Sequence, residues 1–92
     1  MKHRRRRLRR YGLTVPDYEA LLQSQAGVCA LCGLNGSRPL VVDHDHGTGT
    51  VRGLLHEKCN LMLGMAGDDP ERLRQGAEYL QKFPHISPQR VP

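Results

Sequence analysis

Between residues 14 and 25 of this 92-residue chain, Val15, Tyr18, Leu21 and Leu22 recur at helical spacing and form one apolar stripe among polar neighbours. Thr14-Val-Pro-Asp17 marks the helix start: Thr14 suits the cap, Pro16 is tolerated in the first turn, and Asp17 suits the positive end of the dipole. The helix should run to about Gln25, and Gly27 can stop it in a left-handed conformation. The stripe is read as core packing. The period then changes. Leu40-Val-Val-Asp43 is short and β-branched and follows the turn-forming Asn35-Gly-Ser-Arg-Pro39, which predicts a strand; Thr50 to Leu55 predicts a second. Between them Gly47 and Gly49 flank Thr48, a loop that would let a backbone approach a phosphate and that a ligand-free hairpin would equally use. A helix beginning near His56 carries Cys59 and Asn60 and ends around Gly64 or Gly67. Asp69-Pro70 starts another, with Leu73, Ala77 and Leu80 facing inward, Phe83 after them, and Gly76 weakening the middle. Pro84, Pro88 and Pro92 keep the tail from continuing as helix.

Composition limits what such elements can bury. One Phe, three Tyr and no Trp are available, and a chain this short buries only ~60% of the surface its unfolded form exposes. A structural metal is expected on those grounds. Bound zinc contributes on the order of 10–16 kcal/mol in small finger peptides, more than such a core leaves as net stability. Three cysteines cannot make two disulfides, and no apolar signal-peptide core or membrane-length segment follows the charged N-terminus. A reducing, cytoplasmic setting without a membrane partner is therefore expected, in which thiols stay available as ligands.

The net charge of +5 is unevenly placed: residues 1–10 hold seven Lys or Arg and no acid, leaving seven bases against nine acids in the rest of the chain. Residues 1–10 read as a basic arm, 11–83 as the folded domain and 84–92 as a Pro-rich tail. Arg4, Arg5, Arg6, Arg7, Arg9 and Arg10 could neutralise several phosphates and release counterions, a salt-sensitive hold on nucleic acid without sequence preference. A solvated solubility tail and a nuclear-import signal remain the alternatives for such a run.

Two pairs with metal-knuckle spacing follow, Cys29-Ala-Leu-Cys32 and His56-Glu-Lys-Cys59. Zinc holds a Cys3His set tetrahedrally, and a shell closed by four protein ligands leaves no position for water or substrate, so the metal would be structural. His56 and Cys59, at i and i+3 on a new helix, share a face. The bland alternative makes Cys29 and Cys32 ordinary buried thiols and His56 a surface histidine. Successive helical residues point about 100° apart, so Asn60 cannot face the zinc with Cys59. It could look toward the strand pair carrying Asp43 and His44, or bond a loop backbone. The run Asp43-His44-Asp45-His46 offers oxygens and imidazoles suited to a hydrated cation and a proton transfer.

Tyr11-Gly-Leu-Thr14, Ala26-Gly-Val-Cys-Ala-Leu-Cys-Gly33, Val42-Asp-His-Asp-His46, Thr50-Val-Arg-Gly-Leu-Leu55 and Cys59-Asn60 with Leu63-Gly64 together resemble the phage recombination endonuclease VII family of HNH nucleases. The resemblance covers roughly residues 11–83. His56 departs from the cysteine usual at that position in the family, a change zinc accepts. The fold class implied is small α+β: a ββα-metal (HNH, or His-Me finger) core with a structural zinc knuckle and flanking helices. By the same resemblance, Asp43 and Asn60 would hold Mg2+ or Mn2+, His44 would be the general base, and His46 would assist at the phosphate or metal. The implied activity is metal-dependent DNA endonuclease action giving 5′-phosphate and 3′-hydroxyl ends, on duplex or branched DNA, in a bacterial or phage-infected host cell. A homodimer is compatible with the resemblance and is not established by it.

The roles are chemically coherent. An imidazole with a pKa near ~6.5 is substantially neutral at working pH and can take a proton from water. In a regular strand, however, Asp43 and His44 point to opposite faces, so the strand must twist or open there if both serve one phosphate. Asp45 is assigned a structural hydrogen bond. Arg52 is either a phosphate contact or an ion-pair partner of Asp45 or Glu57. The competing function is a zinc-stabilised, Arg-tailed module that binds nucleic acid without cutting it, which has no need of His44 and Asn60 together with Asp43.

Overall fold

A computed structural model describes residues 8–35 and 39–83. After a helical turn at residues 8–10, the elements are α1 (Val15–Ser24), β1 (Val41–His44), β2 (Val51–Leu55), α2 (Glu57–Met65) and α3 (Pro70–Gln81). The small α+β class follows from this order. The chain divides into two compact units, residues 1–61 and 62–92.

The start of α1 has both halves of a capping box. Thr14 Oγ1 accepts from the Asp17 N–H at 3.2 Å, and Asp17 Oδ2 accepts from the Thr14 N–H at 2.9 Å. The Thr14 backbone and hydroxyl hold the exposed Asp17 carboxyl below its ordinary value. At the far end, Ala26 and Gly27 both take positive φ, 56° and 76°, and the Gly27 N–H reaches Leu22 O at 2.9 Å. Glycine at 27 is the expected stop; Ala26 in the same region is an added strain.

Tyr18 is the buried residue of the predicted stripe, with Leu21 and Leu22 half-buried. Its hydroxyl donates to Leu40 O at 2.6 Å, tying α1 to the residue before β1. The core of the first unit comprises Leu8, Tyr18, Leu40, Val42, Leu54 and Leu55, with Cys29 at its edge toward the metal ligands. Leu8 corrects its placement in a basic arm: it is 2% exposed, and its carbonyl accepts from Tyr11 and Leu13. Arg9 and Arg10 are exposed beside it, and Arg4 to Arg7 lie outside the described residues.

The strands pair antiparallel as Val41↔Leu55, Val42↔Leu54, Asp43↔Gly53 and His44↔Val51. Each begins one residue later than the pattern predicts, and β1 extends to His44. The register shifts between Asp43 and His44. One step along β1 there spans two along β2, so Arg52 is the extra residue of a bulge, a feature that bends and twists a strand locally.

The outer edge of β2 is completed by a side chain. The Gln25 amide donates to Leu54 O and accepts from the Leu54 N–H, both at 2.9 Å, while also donating to Val28 O at 2.9 Å. It pairs with Leu54 as a neighbouring strand would. The Ala30 N–H adds a bond to Leu54 O at 3.1 Å. A Cβ at Gly53 would stand 3.3 Å from Gln25 Oε1, so the glycine makes room for this close approach.

In the second unit, Asp69 caps α3 by accepting from the Glu71 N–H at 3.0 Å, and Pro70 takes the first helical position. The inward face assigned to α3 needs correction. Leu73 is half-buried, whereas Ala77, Leu80 and Phe83 are exposed. Tyr79 and Phe83 contact each other with ring centroids 5.5 Å apart. The apolar spacing was helical, but Gly76 and Ala77 present little area to bury. The tail containing Pro84, Pro88 and Pro92 lies outside the described residues.

Candidate active site and metal centre

The Cys29–Cys32 turn precedes the strands, while His56 and Cys59 stand where β2 passes into α2. The fold brings these four together: their ligand atoms all lie within 4.8 Å of one another. One zinc with Zn–S near 2.3 Å holds tetrahedral ligands roughly 3.5–3.8 Å apart, and His56 Nδ1 lies 3.2 Å from Cys32 Sγ. Among the described residues, buried His56 Nε2 has no hydrogen-bond partner. Three thiols and one imidazole suit structural zinc. Among the described residues this is the one His/Cys/Asp/Glu group of three or more placed to hold a metal.

The thiols are not equivalent. Burial opposes ionisation of Cys29, but the backbone N–H groups of Cys32, His56 and Leu31, joined by the Cys32 thiol, bring it down to about 6. The His56 N–H lies 3.3 Å from Cys29 Sγ. Burial and the neighbouring Cys29 and Cys32 sulfurs push Cys59 up to about 11. A metal would replace that last proton as a thiolate ligand is formed.

Asp43 is 5% exposed and lies on β1 opposite Gly53. Arg52 grips it in a fork: Nε donates to Oδ2 and Nη2 to Oδ1, both at 2.8 Å. Charge-assisted bidentate pairs of this kind are among the strongest side-chain hydrogen bonds. The fork's partner is Asp43, an acid not among the two expected, while the charge of Arg52 also acts on Asp45, one of those two. Regular alternation would place residue 52 on the face opposite Gly53 and Asp43, and the bulge removes that restriction.

His44 follows Asp43 across the register shift, so the irregularity their joint use requires falls between them. Its half-buried ring lies 4.8 Å from Tyr11 and 4.8 Å from His46, centroid to centroid. His46 is exposed. Asp45 takes the structural role expected of it. Its Oδ1 accepts from the Gly47 and Thr48 N–H groups at 2.7 and 3.0 Å, and these bonds, that from Thr48 first, hold its carboxyl below the ordinary value. Asn60 is half-buried in the first turn of α2, where its N–H reaches His56 O at 2.9 Å. No hydrogen bond of its side-chain amide is seen among the described residues.

Two contributors escaped the sequence. Gln25 carried no signal, because its partners are backbone groups distant in sequence. Tyr11 could have been singled out as one of very few aromatics beside a basic run. Among the described residues no helix is long and apolar enough to cross a membrane.

Residues 4–82 match the family described as recombination endonuclease VII. The Gene 59 protein of Mycobacterium phage D29 is 47% identical over 79 residues, covering 83% of this chain and 48% of that protein. The Gene 59 protein of Mycobacterium phage L5 is 43% identical with the same coverage. The chain thus spans about half the length of these relatives. No solved structure gives a significant match. A family match running through the Cys3His group, both strands and α2 leads to one assignment: the chain belongs to the recombination endonuclease VII family.

Proposed function

We propose that this chain is a divalent-metal-dependent DNA endonuclease of the HNH type, with His44 as general base. The observation that carries the proposal is the half-buried His44 beside the buried Asp43 at the bulge of a two-stranded sheet. The Cys3His group stands at the end of that sheet and sets the first turn of α2. Family membership and the phage origin of the relatives support this reading, which extends to action on DNA in the cytoplasm of an infected host.

Asp43 and Asn60 would hold Mg2+ or Mn2+. Asp43 has carboxylate lone-pair positions left after the two taken by Arg52, and the Asn60 amide oxygen is uncommitted among the described residues. When bound, the cation supplies positive charge at the nonbridging and leaving oxygens. The remaining work falls to the protein. His44 accepts the proton of the attacking water; the water oxygen bonds to phosphorus as the P–O3′ bond breaks, and the leaving oxygen takes up a proton. The ends are a 5′-phosphate and a 3′-hydroxyl. Tyr11 and His46, against the His44 ring, restrict its orientation, and His46 is exposed to meet the phosphate. Structural zinc in the Cys3His group fixes the rotation of α2, so that Cys59 faces the metal and Asn60 turns about 100° away.

The arginines of residues 4–10 would hold duplex or branched DNA through its phosphates. The chemistry is tested at the product ends. Nicks made by the zinc-loaded protein with Mg2+ should be sealed by a DNA ligase that requires a 5′-phosphate and a 3′-hydroxyl. Nicks that resist sealing until a 3′-phosphate is removed would overturn the proposed bond cleavage, and retention of DNA without cutting under any divalent metal would favour a binding module.

A further inference from the structure

The fork between Arg52 and Asp43 is built by an irregularity in the ladder. Asp43 pairs with Gly53 and His44 with Val51, which leaves Arg52 as the inserted residue of β2. Freed from regular alternation, its guanidinium covers both oxygens of a carboxylate whose side chain is 7% exposed, while its own side chain is 36% exposed. A buried anion is thus held by a cation that keeps one side toward solvent.

We infer that Arg52 is a resident counter-cation that competes with the divalent metal for Asp43 and passes to a DNA phosphate when substrate arrives, so that metal and DNA bind cooperatively. The inference rests on the proposed role of Asp43 as a metal ligand. Asp43 supplies one negative charge, Asn60 none, and Arg52 cancels that charge before any ion enters. Affinity for hard cations follows the charge count of their ligands, so the free protein offers this ion little attraction. Asp45 also feels the charge of Arg52, but its Oδ1 is committed to the Gly47 and Thr48 amides. A phosphodiester changes the balance. It brings its own negative charge and presents two oxygens to which a guanidinium fork fits as well as to a carboxylate. The two expectations for Arg52, ion pair and phosphate contact, then describe one residue before and after substrate binding. Reciprocity follows: DNA tightens metal binding by the same factor by which metal tightens DNA binding.

The test is Mn2+ binding, read by electron paramagnetic resonance titration of zinc-loaded protein carrying His44→Ala to block turnover, with and without a short DNA duplex. Mn2+ should bind weakly alone and more tightly with DNA. Adding Arg52→Gln should tighten DNA-free Mn2+ binding about tenfold, within the usual range of coupling between sites, and reduce the gain produced by DNA. Unchanged or weaker DNA-free binding in Arg52→Gln overturns the inference, because the fork would then orient Asp43 and not compete for it. Zinc content and circular dichroism verify the fold. Should Arg52→Gln not fold, Arg52→Met decides: it keeps an unbranched side chain and removes the charge, so Mn2+ should still tighten, and unchanged affinity overturns the inference. Asp43→Asn separates the underlying reading. Loss of Mn2+ binding is what a ligand at Asp43 requires, whereas binding that survives removes Asp43 from the metal site and this inference with it.

Discussion

Replacing Gln25 with Ala should cost far more than an ordinary half-buried glutamine. The substitution removes the two bonds its amide donates, to Val28 O and Leu54 O, and the one it accepts from the Leu54 N–H. Leu54 O keeps the Ala30 N–H at 3.1 Å, so that acceptor is not orphaned. The Leu54 N–H is less fortunate, since Leu54 is 0% exposed and Gln25 Oε1 is the acceptor it has in the fold. Two lost bonds at about 1 kcal/mol each, and a buried donor left with poor access to water at about 1–3 kcal/mol, give a destabilisation of about 3–5 kcal/mol. For a domain of this size that lowers Tm by about 12–40 °C. The assay is thermal unfolding of zinc-loaded wild type and variant followed by circular dichroism, at fixed protein and zinc concentrations. Gln25→Glu supplies a control with nearly the same shape: it can accept from Leu54 N–H but sets a carboxylate against two carbonyl oxygens, and it should be destabilised comparably. A fall of less than about 4 °C in both variants would refute the reasoning, because each bond would then be replaced by water at no cost.

Zinc uptake should depend on pH in a direction set by the thiols. In the metal-free protein, stability from Cys29, lowered from 9.0 to about 6, is full above its unfolded value and is lost as pH falls through about 6; that from Cys59, raised to about 11, is full below its unfolded value and lost as pH rises through about 11. Near neutrality zinc must therefore displace the Cys59 proton, and calorimetric titrations in buffers of different ionisation enthalpy should register proton release and weaker binding on acidification. Cys59→Ser should lose zinc and lower Tm, while unchanged zinc content and Tm would remove Cys59 from the ligand set. Tyr11→Ala should slow DNA cleavage on the order of ten- to a hundred-fold with little loss of DNA affinity, and Tyr11→Phe should restore most of the rate, since the ring is what meets His44. Equal defects in both variants would assign the role to the hydroxyl. Deleting Arg4 to Arg7 should weaken DNA binding and flatten its logarithmic salt dependence by up to roughly 3–4, and an unaltered slope would leave those arginines without a phosphate role.

What could be read from the sequence was local or carried by spacing. Thr14, Pro16 and Asp17 marked the start of α1 because a capping box is satisfied within four residues. The two metal-ligand pairs declared themselves because only particular residue types at short spacing can serve zinc, and the structural role of Asp45 because strand alternation turns it away from His44 and His46. What escaped was set by tertiary placement. The Arg52–Asp43 fork depends on a bulge that no alternation rule foretells, and the sequence offered Asp45 and Glu57 as equally good acids. Gln25 bonds to Leu54, 29 positions away, through backbone groups every residue possesses. Leu8 was hidden among arginines, where charge density masked a single core position. In α3, helical spacing described the helix correctly but could not say whether Leu80 and Phe83 would be covered.

The central claim, cleavage of DNA by His44 with a divalent metal, is tested most directly on supercoiled plasmid. Zinc-loaded wild type and His44→Ala are incubated with Mg2+, with Mn2+ and with a chelator of divalent cations, and the relaxed and linear forms are quantified. The account predicts metal-dependent nicking by wild type and its loss in His44→Ala, with zinc content and DNA affinity retained. Undiminished nicking by His44→Ala, or plasmid bound but never cut by wild type, would contradict it.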